Sequence, residues 1–165
     1  MPNNRNRLYV EDADILPVPF RNFSGAAGKY NRAGDRNFCV KFSDPETIDQ
    51  LLRDGWALKL MKNRDPEDTT ENYMLRVKVR YDNYPPKIYL ISGKTKTLLD
   101  EESLNLLDGA YFENVDLVIS PSHWKMDDGR EGITAYLDTG YFTIEQDKFA
   151  AKYAEEEAPI EELPF

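Results

Sequence analysis

Two kinds of side chain recur together in this sequence, cations and flat aromatic rings. Arg21, Phe23, Lys29, Tyr30, Arg32 and Arg36 form one such stretch. Arg76, Lys78, Arg80, Tyr84, Lys87, Tyr89, Lys94 and Lys96 form a second, with Asp82 the one acid between Arg76 and Lys96. Spaced cations can follow a run of phosphates, and rings beside them can stack on bases, worth about 1–3 kcal/mol per base. That chemistry is binding without sequence readout, and the two stretches are expected to line one groove. Flexible loop cations in the first stretch suit a partner with an irregular backbone. Arg76, Lys78 and Arg80 would also be at home on a sheet face that simply meets water.

Patterns for catalysis are missing. Gly25-Ala26-Ala27-Gly28-Lys29-Tyr30 echoes a phosphate loop, but the glycines stand two residues too close and Tyr30 replaces the magnesium-binding hydroxyl. It reads as a plain loop. His123 and Cys39 are the only histidine and cysteine, which excludes the common Cys/His zinc sites and an internal disulfide. Cys39 reads as a small packed strand residue in a reducing compartment. Asp127-Asp128 reads as a turn, and a metal-dependent nuclease built on Asp127, Asp128 and Glu131 is a remote alternative. No catalysis, metal or cofactor is expected.

Charge sharpens the picture. The 165 residues carry a net charge of −9, which at first argues against nucleic acid. Residues 1–97, however, hold seventeen basic and thirteen acidic residues, net +4. Residues 98–154 are net −8 and residues 155–165 are net −5. The average hides a basic region and a separate acidic element. No apolar run approaches the roughly 20 residues of a membrane helix. The polar N-terminus does not read as a secretory signal, so a cytoplasmic protein without a membrane partner is expected.

The elements that must position these residues are mostly strands. Asn37 to Phe42 alternates, with Phe38, Val40 and Phe42 on one side. Asn72 to Tyr81 alternates most clearly: Tyr73, Leu75, Val77, Val79 and Tyr81 face the core, and Arg76, Lys78 and Arg80 form an opposite row about 7 Å apart. Phe38 and Trp56 are expected in the core as well. Between these strands, Asp44-Pro45-Glu46 offers a cap, a first-turn proline and an acid at the positive end of a helix. Ile48, Leu51 and Leu52 form its buried stripe, and Gly55 ends it. Trp56 to Lys62, Lys87 to Ser92, Val115 to Ser120 and Ile133 to Ile144 read as further strands. Pro121 is expected to interrupt one of them and Gly140 to mark a bulge. Ser103 to Leu107 has room for a short helix or turn, and Gln146 to Glu157 reads as a short amphipathic helix. Six or seven mostly antiparallel strands with so few helices favour a mainly β, closed or partly closed small barrel.

Residues 155–165 hold five glutamates, two prolines and no cation, the composition of a disordered tail. It ends in Glu161, Glu162, Leu163, Pro164 and Phe165, an apolar tip behind acids. Such a tip suits a hydrophobic pocket rimmed by basic residues. This terminal motif resembles the tail of bacterial and phage single-stranded DNA-binding proteins. The body, through Asn22-Phe23-Ser24-Gly25, Val115 to Pro121 and Gly132 to Asp138, is more similar to the phage type, and lacks the long linker of the bacterial tetramers. The resemblance implies an OB-like, five-stranded or extended Greek-key barrel over residues 1–154 with one or two short helices. It implies that the protein coats single-stranded DNA during replication or recombination, in a host cytoplasm if phage-encoded. Residues 155–165 would then recruit replication, recombination or repair proteins, with homo-oligomer or cooperative assembly on DNA left open. The alternative reading is an acidic DNA mimic, inhibitor or adaptor acting on a DNA-processing enzyme.

Overall fold

The computed structural model describes residues 7–29, 31–82 and 85–145. In chain order the elements are β1 (Leu8–Val10), β2 (Asp14–Ile15), β3 (Arg21–Asn22), β4 (Arg36–Phe42), α1 (Pro45–Asp54), β5 (Leu58–Leu60), β6 (Tyr73–Val79), β7 (Lys87–Ser92), β8 (Thr95–Leu99), a 3₁₀ turn at Leu104–Leu107, β9 (Phe112–Lys125) and β10 (Glu131–Ile144). The fold is mainly β, as the alternation predicts.

The α1 signals act as expected. The Asp44 carboxylate accepts from the Thr47 N–H, Pro45 opens the first turn, and Gly55 caps the end at φ 95°. Ile48 and Leu51 are buried, whereas Leu52 is largely exposed. Trp56 is buried and makes a single bridge to Ile133, while Leu60 at the end of β5 is exposed.

All ten strands join one sheet, with the path β1-β9-β10-β6-β4-β2. β6 is antiparallel to β4 along Tyr73 to Val79. The far edge of β6 meets β5 at Tyr73 to Leu75 and β10, in parallel, at Val77 and Lys78. β7 then runs parallel to β10 from Thr139 to Thr143 and turns back as β8. Two paths end on one piece of chain: Leu8–Val10 pairs with β9, and Asp14–Ile15 pairs with β4. Between them the Ala13 N–H donates to the Val115 carbonyl at 2.7 Å. The sheet therefore curls until residues 8–15 touch both ends, but no continuous ladder closes it.

The concave side is the core. Phe38, Val40, Leu75, Val77, Ile88, Val115, Ile119 and Phe142 are among its fully buried members. Tyr73 and Tyr81 pack against it while half-buried, in keeping with their place on the apolar side of β6.

Two local expectations need correction. β9 is not interrupted at Pro121 but runs from Phe112 to Lys125. Pro121 lies past the last β1 pair, Leu8 with Ile119, where β9 has become an edge strand and a missing N–H is tolerated. The pairing of β10 with β9 is irregular not at Gly140 but between Leu137 and Thr139, and again between Thr143 and Ile144. Gly140 is small for another reason. A Cβ there would stand 2.5 Å from Cε2 of the Phe142 ring. The expected helix at 146–157 and the tail at 155–165 lie outside the described residues.

Candidate nucleic-acid interface

Alternation along β6 puts Leu75, Val77 and Val79 inward and leaves Arg76, Lys78 and Arg80 exposed on the convex face. β7 continues along the same edge of β10 and presents Lys87 and Tyr89 outward. The β6–β7 line is thus a cationic track that ends in a ring.

Beside it runs β10, which presents Tyr136 opposite Lys78 and Tyr141 opposite Tyr89. Five residues apart, these tyrosines would fall on opposite faces of a regular strand. The bulge corrects the phase. Leu137 pairs with Ile119 and Thr139 with Val118, so Asp138 is the extra residue and Tyr136 and Tyr141 share the outer face. They stand roughly 16 Å apart along the strand. Each ring has a cation over it. The Arg80 guanidinium lies 5.3 Å from the Tyr136 centroid. Tyr89 and Tyr141 stack at 5.2 Å and 11°, and the Lys96 ammonium lies 4.3 Å and 5.3 Å from their centroids. Lys94 sits in the β7–β8 turn. Lys96 and Tyr89 are therefore brought together, as are Arg80 and a ring that sequence reading passed over. The available signal was the outward half of the alternation in Ile133 to Ile144. It was hidden because a one-residue bulge reverses the count.

A groove of about 320 Å³ opens at the other flank of β6. Its lining includes Arg32 and Arg36 from the first basic stretch and Arg76, Lys78 and Arg80 from the second. The two stretches thus meet, as the sequence suggested, but through fewer residues. The loop that carries Lys29 and Arg32 is stitched in place rather than loose. The Asn31 amide donates to the carbonyls of Ala26, Arg32 and Asp35 at 2.9–3.0 Å, and Gly34 N–H reaches Gly25 O at 2.8 Å. Gly25 holds φ 72°, and a Cβ there would stand 3.2 Å from the Gly34 backbone. Arg32 is 93% exposed, whereas Arg36 is only 17% exposed and pairs with Glu101 at 2.9 Å. Burial pushes the Tyr81 phenol, beside this groove, up to about 12, against the opposing pull of Arg36.

Arg21 and Phe23, expected in the groove, lie inside the molecule instead. Phe23 is fully buried and stacks on Phe38, with centroids 4.9 Å apart. Arg21 is 8% exposed, and its guanidinium donates to the carbonyls of Leu16, Leu107 and Ala110 at 2.8–3.1 Å. It also lies 4.6 Å from the Phe112 centroid. Burial pushes its pKa down from the ordinary arginine value, and the Asp108 carboxylate acts against that. Asp108 in turn accepts the N–H groups of Phe23 and Ser24. Both residues therefore tie β3 to the 3₁₀ turn and leave nothing to offer a ligand. Tyr30, Tyr84 and Glu161 to Phe165 lie outside the described residues.

Other polar and aromatic side chains fall elsewhere. Cys39 is buried on the outer side of β4, against its cross-strand partner Arg76. Burial raises its thiol pKa, and Arg76 pulls it partly back. Trp124, 44% exposed, packs its ring against Gly132 near the tip of the β9–β10 hairpin. Asp128 at that tip bonds Arg130 at 2.7 Å. Among the described residues no group of three or more His, Cys, Asp or Glu side chains is placed to hold a metal, and no helix is long and apolar enough to cross a membrane.

Comparison with known proteins places the chain in a family. A family model described as a phage ssDNA-binding domain matches residues 2–162. Among solved structures, the chain is similar to the single-stranded DNA-binding protein from bacteriophage Enc34. The TM-score is 0.53 at 10% identity, covering 88% of this chain and 85% of that one. The same bacteriophage Enc34 protein in complex with ssDNA gives a TM-score of 0.52 at 11% identity, covering 88% and 90%. At these identities the likeness is one of fold. A search of the curated proteins gives no match.

Proposed function

Since the chain belongs to the phage ssDNA-binding domain family, we propose that it coats single-stranded DNA along the convex face of β6, β7 and β10. The observation that carries this reading is the pairing of two tracks. Arg76, Lys78, Arg80 and Lys87 follow the phosphates, while Tyr136, Tyr141 and Tyr89 take the bases. Arg32 and Arg36 extend the cationic track into the groove. Support also comes from the similar bacteriophage Enc34 protein, whose structure was determined with ssDNA. The DNA-mimic reading leaves this cationic face without a use.

The body, residues 1–154, does the binding in this reading. Residues 155–165 recruit replication or recombination proteins through Leu163-Pro164-Phe165, an apolar tip behind glutamates that suits a basic-rimmed pocket. The test is titration of dye-labelled poly-dT across a salt series. Tight binding that weakens with salt, at a log–log slope of about −0.7 per phosphate contacted, is expected. No binding at low salt refutes it. Deleting residues 155–165 should leave poly-dT binding intact or tighter and abolish capture of the partner enzyme; weaker poly-dT binding after that deletion counts against the division of labour.

A further inference from the structure

The groove beside β6 holds one cation unlike the others. Arg76, Lys78, Arg80 and Arg32 are exposed, while Arg36 is drawn in from the start of β4. Its only ion pair among the described residues is with Glu101, which follows β8 in a turn and lines the same groove. The Glu101 side chain is 51% exposed, so part of it already faces solvent. Two donors close to this pair are buried with no hydrogen-bond partner among the described residues: Nε of Arg36 and the hydroxyl of Tyr81. The Arg36 NH1 group reaches Glu101 and the Gly34 carbonyl, which leaves the Nε side of the fork unused. An anion richer in acceptor oxygens than one contact of Glu101 supplies would serve these donors better.

We propose that Arg36 is the fixed phosphate seat of the groove, and that Glu101 occupies that seat in the free protein as an internal competitor. This rests on the reading that the protein binds single-stranded DNA. A phosphodiester arriving over Arg76, Lys78 and Arg80 takes over the Arg36 fork, and Glu101 swings out from its exposed turn. The exchange has a signature in salt dependence. A phosphate that engages a free arginine releases one counterion. Here the displaced Glu101 carboxylate takes one up, so the Arg36 contact adds almost nothing to the net release. Glu101 thereby lowers affinity and makes binding less sensitive to salt.

The experiment compares the full-length chain with Glu101→Gln and with Glu102→Gln, an exposed neighbour that does not line the groove. Each is titrated with labelled poly-dT from low to moderate salt, and its thermal midpoint is measured. Glu101→Gln is expected to bind about two- to fivefold tighter, the range of one exposed ion pair. Its log–log salt slope should steepen by about 0.7. Glu102→Gln should change the slope little. Equal affinity and slope for Glu101→Gln and the wild type overturn the proposal, as does an equal gain from Glu102→Gln, which would reveal a general field effect. Weaker binding with a lowered thermal midpoint also overturns it, since the ion pair would then be structural. A wild-type chain that fails to bind poly-dT sinks the functional reading itself, a result distinct from any of these.

Discussion

Replacing Phe23 separates a core residue from a base-stacking one. The ring has no exposed surface, stacks on Phe38 at 4.9 Å and 21°, and meets Phe142 edge-on at 5.6 Å and 85°. Phe23→Ala removes this ring from a buried cluster that also holds Phe38, Phe142 and Phe112. Truncations of this kind cost about 3–5 kcal/mol. In a chain of this size each kcal/mol lowers the thermal midpoint by about 2–4 °C, so a fall of about 6–20 °C is expected. The assay is a pair of measurements on the same sample, a melt followed by circular dichroism and a poly-dT titration well below the lower midpoint. Affinity should stay within about twofold, since nothing on the convex face changes. A ring that stacked on a base would behave in the opposite way, losing about 1–3 kcal/mol of binding with no change in the melt. That outcome would refute the placement of Phe23. Phe23→Leu, which keeps most of the volume, guards against collapse of the Ala variant and should show a smaller fall with the same unchanged affinity.

Tyr141→Ala should give the reverse pattern: about five- to 150-fold weaker poly-dT binding, from one stacking platform lost, with the melt shifted by a few degrees at most. Unchanged affinity in that variant removes Tyr141 from the aromatic track. Gly140→Ala should destabilise by about 1–3 kcal/mol, because the new Cβ meets the buried Phe142 ring at 2.5 Å, and denaturant melts measure it. Tyr81 gives a pH effect, since its folded pKa of about 12 exceeds the unfolded value near 10. Its contribution is complete below about pH 10 and is lost as pH rises toward 12, so Tyr81→Phe should flatten the alkaline decline in stability, whereas superimposable curves for the two proteins would contradict it.

What could be read from sequence is what rests on local rules. The α1 helix was legible because a cap, a first-turn proline and a terminal glycine each act within a few residues of their own position. β6 was legible because seven residues of regular alternation leave one choice of inner face. Arg21 and Phe23 escape local rules because β3 is two residues long, too short for any period, and because several of the partners that enclose them are distant, 85 or 86 residues away at Asp108 and Leu107 and 119 away at Phe142. A cation beside a ring in a glycine-rich stretch looks the same whether it meets a ligand or a ring of backbone carbonyls. Tyr136 was hidden by a different mechanism. Its outward direction follows from alternation, but its alignment with Tyr141 depends on a bulge, and a bulge is a property of the pairing with β9.

Net charge returns as a question of distance. At about 0.1 M salt, charges more than roughly 10 Å apart are largely screened. A phosphate on the convex face then responds to Arg76, Lys78, Arg80 and their near neighbours, and hardly to the acids of the 98–165 region beyond that reach. At 0.01 M the screening length is roughly 30 Å, about the width of a small domain, and the whole −9 of the chain comes into range. Repulsion between the strand and the acidic remainder then offsets part of the gain from weaker screening. The log–log plot of poly-dT affinity against salt should therefore be straight at moderate salt and bend toward a plateau below about 0.03 M, where the screening length passes the size of the binding face. Removing residues 155–165 takes away five of the negative charges and should shift the bend to lower salt. A plot that stays straight to 0.01 M with the tail intact would mean that distant acids do not act on the bound strand, and that the cationic face sets the electrostatics at every ionic strength.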